Sequence, residues 1–186
     1  MLKDSKKFSR LKDEWKKAWK KELVDIILFG SITRGKKKPG DIDLCLIFRD
    51  KINLELTKQI QVILGEEYHL STLTIDNFFT DTHSLTKTIL LEGKSLITGK
   101  KFADNFGLVP QLSYTYDLSQ EKPSKKVRFV YLLRGREKGQ GIVERMGGRF
   151  MSGASFMIPL EKDAEMKEIF DGWRIKYQRK RVMLMN

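Results

Sequence analysis

Two short apolar runs with a glycine turn between them constrain this chain more than any other feature. LVDIILF (23–29) reads as a buried strand that ends at Gly30, and DIDLCLIF (41–48) reads as a second strand. Strand side chains alternate faces, so Asp41 and Asp43 point the same way. Between the strands lie Ser31, Thr33-Arg34-Gly35, the run Lys36-Lys37-Lys38 and Pro39-Gly40. A glycine turn beside two carboxylates is a phosphate and metal site in outline, and two chemistries compete for it.

The first is a P-loop. Gly30-x4-Gly35-Lys36 fits most of that pattern and follows a strand. However, Lys37 stands where a magnesium-binding hydroxyl belongs. The P-loop lysine must also open a helix, whereas Pro39-Gly40 stops one at once. The second is nucleotidyl transfer. Gly30 lets backbone approach a phosphate, and Ser31 offers it a hydroxyl and an amide. Asp41 and Asp43 form a site for Mg2+ (or Mn2+).

Phe29-Gly30-Ser31, Arg34-Gly35 and Asp41-Ile42-Asp43-Leu44 together resemble the minimal nucleotidyltransferases of the polymerase-beta superfamily. The resemblance covers roughly residues 5–100, including the preceding helix and the tail LLEGKSLITG. It implies an α/β (α+β) fold with a mixed sheet and flanking helices. It also implies transfer of a nucleoside monophosphate from a nucleoside triphosphate to a hydroxyl. Asp41 and Asp43 would be the catalytic metal ligands, and Gly30, Ser31 and Arg34 the nucleotide ligands. Members of this family also modify partner proteins in toxin–antitoxin pairs, commonly on tyrosine, so a protein acceptor stands beside RNA.

The family's third carboxylate lies on the next core strand, before a helix start that Thr74-Ile75-Asp76-Asn77 resembles. Counting back places Ser71 there, and a serine replaces neither a charged ligand nor a base. Glu67, His69 and Asp76 are the neighbouring alternatives, with Asp76 read more simply as a helix cap. Two readings follow: an active enzyme that draws its base from elsewhere, such as Glu67 or the substrate, or a lapsed enzyme that binds RNA or ribonucleoprotein.

The rest is read from pattern. Phe8, Leu11, Trp15, Ala18 and Trp19 make the apolar stripe of a first helix. INLELTKQIQVILG and SLTKTILLEG read as helices ended by Gly65 and Gly93, and YHLSTLTI (68–75) as a strand. His83 falls in a first helical turn, and Cys45 is a core residue. Domain boundaries are placed at 1–103, 104–125 (a linker or irregular segment) and 126–186. In the last part KVRFVYLLRG (126–135) reads as a strand, followed by a break at Gly139 and Gly141 and a short helix GIVERMGG. RFMSGASFMIP then reads as a strand bent at Gly153, EKDAEMKEIFDGW as a helix, and RIKYQRKRVMLM as a final strand.

The net charge of +12 is uneven. Residues 1–21 carry nine Lys/Arg against three Asp/Glu, residues 22–120 carry 11 against 13, and residues 121–186 carry 16 against eight. Basic ends suit a polyanion such as RNA, and a solvated lysine-rich surface is the plainer reading. On the last strand Arg174, Lys176, Gln178 and Lys180 are expected on one face. Together with Arg179, Arg181, Arg145, Arg149 and the aromatic Phe150, they form the expected RNA surface. No stretch is apolar for the ~18 residues of a membrane span, so no membrane partner is expected. One cysteine and no apolar leader point to a reducing, cytoplasmic setting.

Overall fold

The computed structural model describes residues 5–34, 41–80, 84–137 and 140–185. The sequence features at Gly35, Lys36, Lys37, Lys38, Pro39, Gly40, His83 and Gly139 lie outside the described residues. Contacts divide the chain into two compact units, residues 1–107 and 108–186.

The first unit opens with α1 (Ser5–Lys17), whose Leu11 is fully buried while Phe8 and Trp15 pack on the same core. The Trp15 indole donates to the Leu23 carbonyl at 2.7 Å and ties the helix to the strand that follows. That strand is β1 (Leu23–Phe29), and β2 (Ile42–Phe48) pairs with it antiparallel, setting Phe29 opposite Asp43. Next comes α2 (Leu54–Leu64), capped by Asn53, whose side-chain oxygen accepts from the Leu56 amide. Then β3 (Tyr68–Thr74) runs parallel to β2 and sets His69 beside Asp43 and Ser71 beside Cys45.

The helix α3 (Ile75–Thr80) starts at once, and its cap is Thr74, whose hydroxyl accepts from the Asn77 amide at 3.1 Å. Asp76, expected to be the cap, sits in the first turn instead. The unit ends with α4 (Ser84–Glu92) and the short β4 (Lys94–Ser95). Sheet order is β3-β2-β1-β4. One face buries Ile26, Leu28, Leu44 and Leu46 against α1 and α2; the other buries Ile27, Cys45 and Ile47 against Phe78, Ile89 and Phe102. This is a mixed α+β sheet with flanking helices.

The second unit departs more from expectation. Residues read as part of a linker form β5 (Leu108–Asp117), with Leu112, Tyr114 and Tyr116 alternately buried. The segment expected as a strand over 126–135 lies in a helix, α5 (Pro123–Arg134). Its near-continuous run of β-branched and aromatic residues, V-R-F-V-Y-L-L, imitates a strand. The burial is helical, though: Phe129 and Leu133 are buried four residues apart, while Val127 and Tyr131 are exposed. Pro123 in the first turn and Gly135 (φ 77) after the last residue bound it.

After α6 (Ile142–Arg145), the bent strand expected around Gly153 is a hairpin of β6 (Arg149–Ser152) and β7 (Ser155–Pro159). Then come α7 (Asp163–Trp173) and β8 (Lys176–Met185). The all-antiparallel order is β6-β7-β5-β8. Its core holds Tyr114 stacked 5.4 Å from Phe156 and 5.6 Å from Phe170, with the Tyr114 hydroxyl donating to Asp163 at 2.8 Å. Among the described residues, no helix is long and apolar enough to cross a membrane.

Candidate active site

The structure brings Gly30 of the turn against Asp43. Gly30 follows the last residue of β1 with φ +84, a left-handed conformation. A Cβ on it would lie 2.4 Å from Oδ2 of Asp43, so the missing side chain is the space the carboxylate occupies. The Thr33 hydroxyl donates to the Gly30 carbonyl at 2.8 Å and closes the turn, with Ser31 half-buried inside it. Asp43 is half-buried, whereas Asp41 stands one residue before β2 and is exposed.

These oxygens fit a hard divalent cation: one carboxylate sits in a cradle that a Cβ would fill, and the other is open to solvent. Among the described residues, no three His, Cys, Asp or Glu side chains gather into a metal cage. Two carboxylates plus substrate phosphates is the usual way a magnesium ion is held.

The alternatives for a third group separate by register and partner. Ser71 lies beside Cys45, one step deeper than Asp43. The side chain level with Asp43 is the exposed His69, one of the neighbouring alternatives. Glu67 is engaged elsewhere: Lys7 of α1 donates to its carboxylate, and that hydrogen bond holds the Glu67 carboxyl below its ordinary range. Cys45 is fully buried, which pushes its thiol up to about 12 and leaves it a core residue.

Arg34 was expected only as a phosphate ligand, but Nη1 donates to both Glu92 oxygens, at 3.0 and 2.9 Å. Sequence reading missed Glu92. The available signal was an acid in the last turn of a helix, where the dipole disfavours it without a cation nearby.

The basic residues of the second unit do not share one surface. Lys176, Gln178 and Lys180 do share the face of β8 turned from the helices, and cross-strand pairing carries that face through Ser113 and Met157 to Arg149. Arg174 is outside the strand, at φ 51 between α7 and β8. Arg179 and Arg181 pair with Tyr114 and Leu112, so they lie on the helix-covered face. There Arg179 is ion-paired to the buried Asp163. Arg145 is exposed on α6. Phe150 packs on Phe156 beneath the Arg134 guanidinium and is not presented with the lysines.

Residues 8–97 match the family model described as the nucleotidyltransferase domain. No curated protein matches the chain. Among solved structures, a chain from the complex of tri-AMPylated Shewanella oneidensis HEPN toxin with MNT antitoxin is similar at 21% identity. The match covers 53% of this chain and 78% of that one, with a TM-score of 0.33. Strand, glycine turn and paired aspartates all fall inside the matched span, and residues 8–97 of this chain are similar to a nucleotidyltransferase domain.

Proposed function

We propose that the chain moves a nucleoside monophosphate from a nucleoside triphosphate to a hydroxyl acceptor. The observation that carries this reading is the close approach of Gly30 to the Asp43 carboxylate at the mouth of a β-turn-β unit. Asp41 and Asp43 hold the divalent ion, Mg2+ or Mn2+. Ser31 donates its hydroxyl and amide to the distal phosphates, and Arg34 adds positive charge to them. When bound, the ion would neutralise phosphate charge and make the acceptor hydroxyl easier to deprotonate. The acceptor oxygen bonds to the α-phosphorus, the bond from that phosphorus to the β-phosphate bridge oxygen breaks, and pyrophosphate leaves. With Glu67 held by Lys7, the hydroxyl proton passes to the substrate's phosphates or to solvent.

RNA is the acceptor favoured by charge. Arg149, Lys176 and Lys180 share one sheet face with Ser113, Thr115 and Gln178 between them, a pattern that tracks phosphates. Pyrophosphate release with each nucleoside triphosphate, Mg2+ and RNA tests the reading. The wild type should release it, and Asp41→Asn/Asp43→Asn should not. The charge reversals Lys176→Glu and Lys180→Glu should raise KM for RNA and leave KM for the nucleotide unchanged. An unchanged KM for RNA removes RNA as acceptor and leaves a protein hydroxyl.

A further inference from the structure

Glu92 is the most deeply buried acid of the first unit that touches the phosphate turn. Its side chain is 0% exposed, while the Arg34 side chain bound to it is 31% exposed. Gly93 sets its place. A Cβ there would meet the Ile89 carbonyl at 2.3 Å and the Ile27 side chain at 2.8 Å, so only glycine lets the end of α4 press onto β1. That contact puts the last residue of α4 under the turn that β1 leads into. The pairing also answers the helix dipole, since the Arg34 cation sits at the C-terminal end of α4.

A buried ion pair is a poor stabilising device, because desolvation offsets most of its attraction, and two apolar side chains would hold the same contact as well. What such a pair does supply is a fixed geometry. The contact occupies Nη1 alone; among the described residues, Nη2 and Nε of Arg34 have no hydrogen-bond partner. A guanidinium clamped at one nitrogen and open at the others is a pre-organised phosphate ligand.

We propose that Glu92 is a positioning residue. It locks Arg34 so that the free guanidinium donors receive the polyphosphate of the nucleotide. The proposal rests on the nucleotidyl-transfer reading above and extends it to a residue that does not touch substrate.

The test is binding of inorganic tripolyphosphate, each nucleoside triphosphate and each nucleoside monophosphate to the full chain by calorimetry, with Tm measured beside it. Arg34→Lys and Glu92→Gln should weaken triphosphate and tripolyphosphate binding by ~10-fold or more, with monophosphate binding unchanged. Breaking one side of a buried pair also costs stability, so the deciding variant is Arg34→Met/Glu92→Met, which keeps the volume and removes both charges. It should be more stable than Arg34→Met or Glu92→Met alone without recovering triphosphate affinity. Wild-type triphosphate affinity in that double variant, or in Glu92→Gln, overturns the proposal and leaves the transferase reading intact. Absence of nucleotide binding by the wild type overturns both.

Discussion

At the scale of single residues, Gly30 and Asp43 divide stability from chemistry. Replacing Gly30 by alanine puts a Cβ in the left-handed region, at roughly 1–2 kcal/mol, and against the Asp43 carboxylate. That carboxylate can swing aside, so the fold tolerates the change while the proposed metal ligand is lost from its place. Gly30→Ala should therefore lower Tm modestly and lower transfer by ~10²-fold, the scale of an ångström-sized misplacement. Equal small losses in both would show that the contact does not serve the chemistry. Asp25 is a second diagnostic residue. It is buried on β1, where loss of water raises its carboxyl to about 6 despite hydrogen bonds from Ser95 and the Ile26 amide. A carboxyl raised in the folded state stabilises the fold at low pH, and that contribution is lost as pH rises from about 4 through about 6. Asp25→Asn, which keeps the acceptor oxygen, should flatten the dependence of Tm on pH across that window. A retained slope would place the titrating group elsewhere.

Among the elements, legibility followed the kind of signal. The strands β1 and β2 were readable because each is a continuous apolar run broken by glycine, and α2 because Leu56 and Ile60 fall on one face and Gly65 ends it. α5 reads as a strand because it is rich in β-branched and aromatic residues, although Pro123 and Gly135 mark a helix at both ends. Tertiary burial of Phe129 and Leu133 overrode local strand preference. β5 was hidden by the Gly and Pro residues around its start and by tyrosines in its core positions. Val127→Ala discriminates the two readings of α5. At an exposed helical site (Val127 is 51% exposed) it should raise stability by roughly 0.5 kcal/mol, whereas in a strand it would lower it. Denaturant midpoints of the two proteins decide the sign.

For the whole molecule, the sequence located the glycine turn and the aspartates, and it did not locate what surrounds them. Asp41 and Asp43 are local in sequence. Glu92 and Arg34 are 58 residues apart, and the His69–Asp43 neighbourhood depends on the register of a parallel pair. The basic tail was visible as composition, but composition does not say that Arg179 is spent on Asp163 and Arg181 is turned to the helix side. On the open face of the second sheet, the charge offered to a polyanion is the row from Arg149 to Lys180. The central claim, covalent transfer of a nucleotide by Asp41 and Asp43, is tested most directly by label transfer. The protein is incubated with α-labelled nucleoside triphosphates, Mg2+ or Mn2+, and total RNA or a cell lysate. The account predicts label on an acceptor band with the wild type and none with Asp41→Asn/Asp43→Asn. No label under any condition, with RNA retained equally by both forms, would contradict it and leave a binding protein whose residues 8–97 are similar to a nucleotidyltransferase domain.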